Sequence, residues 1–535
     1  MALMACFGVA GANLSAVWQA APTQVAPTTL SGLVAAYSDA GDGLAVGELS
    51  GNTVSYTFNG TTNSWEAPVT LFTASNQQNN AVAMDPAGDG LAVYNANGNI
   101  VYASRYSFAS DTWFDTEGSS IQLYPTASSI SVAMSAQGNG LAAFIDTTIP
   151  PAGGNLFASQ YNGVTMTWSD TGGSAVQLST TTGSVQGSTL AMDANSNGLA
   201  VWNNFDGTNH TIQAANYSGA TKLWTNTQGS AINLSLNNAA GGGTNGTVAM
   251  SANGTGLAIW VANPGSGNVI QSAWYNGTSW QFTGASALTV SAAGVDDFTP
   301  FGLSMDANGN GLAIWPEQVG SNSVAQAAYF NGATQTWGTP VTLSSPGAGV
   351  FSIFNVNISF ANNGNAFAGW TLNNGTESVV QSAFYNASTG MWEDTLTNAI
   401  TLSDPTQNAS QLHLIANARG NALAVFDQTN GLFSNFFTAP PPPQPNNGSN
   451  FVGRAGSDKF LSQIDYVNFL SWTASSDPTV VGYYVSVNGV IVANVLASMP
   501  LQVVFHNQPN APVTYTLTTY NAAGTQSNPL TVTLR

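Results

Sequence analysis

The chain has 535 residues, enough for several domains or for one large repeat array plus a small domain. Only 6% of them are charged, and six Lys and Arg against 25 Asp and Glu leave a net charge of −19. So few cations argue against nucleic-acid binding, which needs phosphate neutralisation, and disfavour anionic membranes and acidic substrates. The single cysteine, Cys6, rules out an intrachain disulfide, so the fold must stand on packing alone.

Residues 1–12 are apolar and end in Ala10-Gly-Ala12, a pattern that suits a signal-peptidase site although the basic start of a signal is missing. They read as the remnant of an export signal, and Leu3-Met-Ala-Cys6 loosely resembles a lipoprotein cleavage box. No later stretch approaches the ~18–20 apolar residues that span a bilayer. Next comes Trp18-Gln-Ala-Ala-Pro-Thr-Gln-Val25, which is similar to segments that recur along the chain, such as Trp65-Glu-Ala-Pro-Val-Thr-Leu71.

From here a marker of about a dozen residues recurs eight times at spacings of 47 to 58 residues. Its copies end in Gly43-Leu-Ala-Val46, Gly90-Leu-Ala-Val-Tyr94, Gly140-Leu-Ala-Ala-Phe144 and Gly198-Leu-Ala-Val-Trp202. They continue with Gly256-Leu-Ala-Ile-Trp260, Gly311-Leu-Ala-Ile-Trp315, Ala366-Phe-Ala-Gly-Trp370 and Ala422-Leu-Ala-Val-Phe426. A period of this length marks a toroidal or solenoid array. Each unit reads as four short strands, illustrated by 302–305, 312–315, 323–330 and a fourth through Trp337 to Leu343. The runs are rich in Val, Ile, aromatics and Thr, are separated by Asn/Gly/Asp turns, and leave almost no room for helix.

The first hairpin explains itself. Two positions before the marker stands another glycine in seven copies (Gly41, Gly88, Gly138, Gly254, Gly309, Gly364, Gly420), as a tight turn with positive φ requires. The exception is Ser196, which follows Asn195. The alanine two positions into every marker predicts a close approach of neighbouring sheets, and the aromatic two positions later is expected to fill the gap toward the next unit. Eight units with the last strand supplied by the N-terminal Trp18 segment predict an eight-bladed β-propeller over residues 13–438 with its N-terminal strand closing the last blade. Closure hides sheet edges. A linear β-solenoid is the runner-up and leaves the Trp18 segment unexplained.

Residues 439–450 form a Pro-rich linker. In 451–535, Phe469-Leu-Ser-Trp472, Val481-Gly-Tyr-Tyr-Val485 and Tyr515-Thr-Leu-Thr-Thr-Tyr-Asn-Ala-Ala-Gly524 stand out. This module resembles a fibronectin type III domain, although its opening, Phe451 to Phe460, departs from the usual first strand. The resemblance implies a small β-sandwich and extracellular display more than chemistry. The propeller repeats resemble the degenerate Asp-x-x-Gly-Asn-x-x-Ala-Val-Trp repeats of bacterial surface and secreted propellers as a broad class.

Chemistry is harder to find. Asp193-Ala-Asn-Ser-Asn-Gly198 and Asp306-Ala-Asn-Gly-Asn-Gly311 fit the first half of a calcium loop, yet neither has the closing Glu. Sibling turns carry Ser135, Ser251, Ala361 and Asn417 in place of the first Asp, which favours a turn kept for its backbone shape. Asp296-Asp297, the only adjacent Asp pair, reads as a solvated loop. His210, His413 and His506 sit in different units and make no zinc spacing. Arg105, Arg419, Arg454 and Arg535 are too few for sialidase chemistry. The sequons at Asn59, Asn276, Asn374 and Asn447 arise by chance in so Asn/Thr-rich a chain. Trp274, Tyr275, Tyr329 and Phe330 are expected to be exposed on third strands, where they stack on sugars or, by preference, pack between units.

No catalytic, cofactor-binding or metal-ligating residue is therefore designated. The expectation is a secreted or cell-surface protein, non-enzymatic, presenting a propeller to a glycan, a protein or another copy of itself. A polysaccharide hydrolase using loop carboxylates and a structural envelope or fibre subunit are the alternatives.

Overall fold

The computed structural model describes residues 17–73, 79–146, 148, 154–180, 183–237, 242–265, 267–295, 301–345, 352–361, 364–438, 450–460, 463–477, 480–509, 511–521 and 526–534. It resolves into two units, one spanning Val17–Thr438 and the other containing the chain from Ala439 onward. Cys6, Asp296-Asp297 and Asn447 lie outside the described residues. The fold is all-β, with four single-turn 3₁₀ segments as the only helical pieces among the described residues.

The larger unit is a propeller-type array of eight antiparallel sheets of five strands each. Their first strands are Ser31–Tyr37, Asn80–Met84, Ser128–Met134, Ser184–Met192, Gly243–Met250, Gly302–Met305, Ser352–Phe360 and Ala409–Ala416, for sheets one to eight in chain order. Each first strand touches the first strand of the next sheet, and the eighth touches the first. The contacts form a closed circle. Every second strand is a marker copy and pairs between the first and third strands.

The fourth strand is not continuous as its sequence suggests. In sheet six it is two short pieces, Thr336–Trp337 and Val341–Thr342, that pair with the C-terminal end and the middle of the same third strand. In sheets three, four, five, six and seven a serine just after this strand (Ser179, Ser235, Ser291, Ser344, Ser403) accepts a hydrogen bond from a third-strand N–H at 2.8–2.9 Å. The break in the strand thus leaves its partner's backbone satisfied.

Sheet eight has no fourth strand of its own. Val17–Trp18 and Thr23–Ala26 supply it, pairing Trp18 with Phe437 and Thr23 with Ser434 on the strand Gly431–Thr438. A ring pair repeats at this place in every sheet. Phe58–Trp65, Tyr106–Trp113, Tyr161–Trp168, Tyr217–Trp224, Tyr275–Trp280, Phe330–Trp337 and Tyr385–Trp392 have centroids 5.2–5.6 Å apart. Trp18–Phe437, at 5.6 Å, completes the set across the two ends of the unit.

Packing between sheets follows the two-residue period of the markers. Tyr94 packs among Leu44, Val46 and Leu71; Phe144 among Val93, Val101 and Leu123; Trp260 among Leu199, Val201 and Ile212. Each aromatic therefore enters the preceding sheet, not the next one as its position in the repeat suggests. The Leu and Val that alternate with it face forward. The invariant alanines Ala92, Ala142, Ala200 and Ala258 are fully buried in clusters between sheets, and a second close approach lies at the glycine two positions earlier. A Cβ on Gly90, Gly140, Gly198 or Gly256 would lie 2.5–2.6 Å from a leucine Cδ1 of the preceding sheet. These glycines have ordinary φ, so the missing Cβ serves the leucine tip and not the backbone; sheets seven and eight carry Ala366 and Ala422 at the same place. In sheet one the aromatic is replaced by Gly47, and Leu30 fills the space with its Cβ 2.8 Å from where a Gly47 Cβ would stand.

The smaller unit packs a sheet of Val452–Phe460, Gln463–Ser471 and Gln502–Phe505 with a second of Val490–Leu496, Val480–Val487, Val513–Asn521 and Leu530–Leu534. Leu470, Trp472, Tyr483, Val485, Tyr515 and Leu517 are buried in one cluster. The Tyr515 hydroxyl donates to Gln508 Oε1 (2.7 Å) and accepts from Asn468 Nδ2 (3.0 Å), so its polar tip is satisfied inside the core.

Candidate functional site

The turns that resemble half a calcium loop come first. Asp193 Oδ1 accepts from the N–H groups of Asn195 and Asn197 at 2.8 and 2.7 Å, and its Oδ2 accepts from Asn197 Nδ2 at 2.8 Å. Asp306 does the same with Asn308 and Asn310. The sibling positions act alike: Asp85 accepts from Gly88 and Asp89, Asn417 from Arg419 and Asn421, and Ser38, Ser135 and Ser251 from one turn N–H each. Any short side chain with an acceptor oxygen caps this hairpin, which is why Asp, Asn and Ser interchange there. The turn glycines all have positive φ, from 75° to 106°, and Ser196 itself adopts φ 67° where its siblings use glycine. Its hydroxyl is held by Ser135 Oγ and Asn139 Nδ2, both at 2.9 Å.

Other singled-out residues also prove structural. The side-chain oxygens of Asn59, Asn276 and Asn374 accept from N–H groups two and three residues on, so these sequons are capped turns. The four third-strand aromatics are not exposed: Tyr275 and Phe330 are buried, and Trp274 and Tyr329 are half-buried. Tyr329 stacks on Tyr385 of the next sheet at 5.6 Å. His210 bonds Asn203, His506 bonds Asp465 in the smaller unit, and His413 Nε2 lies 2.7 Å from the Leu33 carbonyl. Burial holds the His413 imidazole below its ordinary pKa, so it is neutral and donates this bond. Arg105 is paired with Asp115 at 3.0 Å and lies over Phe114.

Two cavities lie at opposite ends of the first strands. One, of about 280 Å³, collects the C-terminal ends of six consecutive sheets and sits on the ring axis. Tyr37, Met84, Met134, Met192, Met250 and Met305 line it together with the capping aspartates. Its acids are engaged: Asp85, Asp193 and Asp306 by their own turns, and Asp39 by the Ala418 N–H. Burial also raises the Asp85 carboxyl above the usual range.

The other cavity, of about 440 Å³, lies among the N-terminal ends of the first strands of sheets three, four and five, with Phe301 just before sheet six. Here the inner strands are bulged. Register shifts fall at Ser128/Ile130, Val185/Ser188 and Thr244/Thr247, and the same feature recurs in sheets one, seven and eight. Ser129 and Asn245 take left-handed φ of 48° and 55°. A bulge bends its strand and re-aims a side chain, and bulges concentrate at rims and sites. The lining includes Ser129, Gln186, Asn203, Asn245, Thr247 and Phe301, and none of the described lining residues is charged. Nothing in the sequence pattern flags it, because each bulge differs in residue type and the markers lie at the other end of the strand.

Neither a protein-family model nor a curated protein sequence matches the chain. Solved structures similar to it include an ulvan lyase of polysaccharide lyase family PL25, 10% identical, covering 72% of this chain and 98% of that one with a TM-score of 0.46. The polysaccharide lyase Uly1 is 9% identical over 65% of this chain and 88% of its own, with a TM-score of 0.42. The Aleuria aurantia lectin, bound to Fucα1-6GlcNAc, is 14% identical over 61% and 95%, with a TM-score of 0.33. None of these likenesses is close enough to place a ligand or a catalytic group in this chain.

Proposed function

We propose that this chain is an exported or cell-surface, non-enzymatic binding protein. In this reading residues 13–438 form an eight-bladed β-propeller that recognises its ligand at the bulged end of its first strands, 439–450 are a linker, and 451–535 are a fibronectin type III-like module. The circle of first-strand contacts and the N-terminal strand in sheet eight support the blade count. The three-plus-four strand arrangement around Trp472, Tyr483 and Tyr515 supports the second module. Export rests on the apolar residues 1–12 alone, and the mass of a secreted chain beginning at Asn13 tests it.

The observation that carries the functional reading is the 440 Å³ cavity at the bulged end, lined by hydroxyls, amides, glycine and one aromatic ring. Its volume falls within the ~300–1,000 Å³ of small-molecule sites. No carboxylate, histidine or cysteine is among its described lining residues, so the serine and threonine hydroxyls there have no lining base to activate them. It is built to hold a ligand by polar contacts. A glycan array probed with the full chain, with calorimetry on the hits, tests the proposal. Bound saccharide returned unchanged in mass supports it; cleavage products, or no binding to any glycan, overturn it.

A further inference from the structure

Resting on that binding reading, we infer that the site is off-centre: the cavity at sheets three to five takes a neutral, polyhydroxylated ligand, a saccharide without carboxylate or sulfate, read by the side chains that the bulges present. Six first strands carry the bulge, but they are not equivalent. In sheet eight the bulge residue Gln411 (φ 51°) is wholly engaged in closing the ring. Its Oε1 accepts from the Leu33 N–H at 3.1 Å, and its Nε2 donates to the Leu30 carbonyl and to Asp427 at 2.9 and 2.6 Å. In sheet one the bulge residue is Gly32, which has no side chain, and its carbonyl accepts from Asn80 Nδ2 at 3.0 Å. The closing side of the mouth is thus committed to structure. Across sheets three to five the bulges line the cavity, and Gln186 and Asn245 are exposed there.

Ser129 and Asn245 hold left-handed backbone, a conformation that collects where it serves a site. The chemical class follows from the lining. Hydroxyls and amides both donate and accept, matching sugar hydroxyls that do the same. Phe301 offers an apolar ring to the C–H face of a pyranose. A uronate or sulfate entering here would lose water and meet no cation among the described lining residues, and the protein's net charge of −19 repels it on approach.

The test uses the full chain and calorimetry against neutral, uronate-containing and sulfated oligosaccharides. A Cβ on Gly187 meets nothing within 4 Å and its φ is not left-handed, so Gly187→Phe places a ring in the cavity without straining the backbone. Gly229→Phe, at a position equally open but outside the cavity, is the control. Neutral saccharides are expected to bind, with at least a tenfold loss in Gly187→Phe and none in Gly229→Phe. Gln186→Ala and Asn245→Gly, the latter preserving a backbone that glycine tolerates, should each lose three- to tenfold. These two keep the test alive should Gly187→Phe fail to fold. Neutral binding that survives all three variants overturns the location while leaving the binding reading standing. Tighter binding of uronates or sulfates overturns the class. No saccharide bound by the wild-type chain overturns the binding reading and this inference with it.

Discussion

Asp427 should make the ring closure sensitive to pH. It lies in the second strand of sheet eight and is almost fully buried. Its Oδ1 accepts from the Leu30 N–H at 3.3 Å and its Oδ2 from Gln411 Nε2 at 2.6 Å, so it helps hold the segment leading into sheet one. Burial pushes its carboxyl from 3.8 to about 6, against the opposing pull of these two hydrogen bonds. Because the folded value lies above the unfolded one, the protonated acid is favoured by folding. Its contribution is complete below about pH 4 and is lost as pH rises through 6. A tenfold change in proton affinity is worth about 1.4 kcal/mol, giving at most about 3 kcal/mol here. Discounting for residual solvent screening leaves about 1–2 kcal/mol. At ~2.1 cal/mol/K per residue, a ring unfolding as one unit would gain on the order of 1–2 °C. Other groups contribute as well: burial raises Asp85 and Glu317, which act in the same direction, and lowers His413, which acts oppositely. The informative quantity is therefore the difference between wild type and Asp427→Asn, melted side by side from pH 7 to 4.5. Asparagine cannot titrate, so the wild type should gain on the variant as pH falls, over and above any fixed offset. A difference that stays flat across that window would refute the reasoning.

Trp18→Ala should cost about 2–4 kcal/mol, the range for losing a large partly buried ring, and should release the N-terminal strand to limited proteolysis. Trp224→Ala removes an equivalent ring pair and should destabilise similarly without exposing the N-terminus; equal cleavage of both variants would show that Trp18 does not close the ring. Gly219→Ala would place a Cβ 2.6 Å from the Asn195 carbonyl oxygen, a backbone atom with nowhere to go. A loss of about 1–3 kcal/mol by chemical denaturation is expected, against less than about 0.5 for Gly229→Ala in open space. Asp193→Asn and Asp306→Asn keep an acceptor for the turn N–H groups and should each cost under about 1 kcal/mol, with Asp→Ala costing more. A chelator should leave the wild-type melting point unchanged; a fall of several degrees would mean that these turns bind a cation after all.

Much of the architecture is legible because the repeat compares eight solutions to one problem. Glycine at 41, 88, 138, 254, 309, 364 and 420 announces a positive φ, and the orphan Trp18 segment announces where the missing strand comes from. Direction is not legible in the same way. Whether Trp260 faces forward or back depends on the hand of the ring and the twist of its sheets, which a one-dimensional period does not carry. The glycine at the marker's head looks like part of the turn beside it, yet it packs against a leucine about fifty residues earlier, visible only once sheets are stacked. The break in the fourth strand does leave a partial trace. The residue pair Leu178-Ser179 recurs as Leu234-Ser235, Leu343-Ser344 and Leu402-Ser403, and the serine is there to satisfy a third-strand N–H. The cavity leaves no such trace, since a site that reads a ligand gains nothing from being the same in every sheet.

That difference explains why the two ends of the first strands are so unlike. At the marker end all eight copies make the same hairpin, and the chemistry converges on a positive-φ residue and, in every copy but that of Ala361, a cap oxygen. The aspartates there are consumed by the turn, however acidic the mouth looks from its sequence. At the bulged end the only shared demand is that adjacent inner strands diverge enough to avoid crowding, and a bulge does this with almost any residue. Side chains there are left to vary: Gly32, Ser129, Asn245, Asn355 and Gln411 all occupy left-handed backbone at comparable places. Closure then removes part of the circle from use, because joining two distant chain segments requires a specified register. Gln411, His413 and Asp427 supply that register by bonding Leu30 and Leu33. The arc left free of this duty is the one opposite the join, and that is where sheets three to five open their cavity.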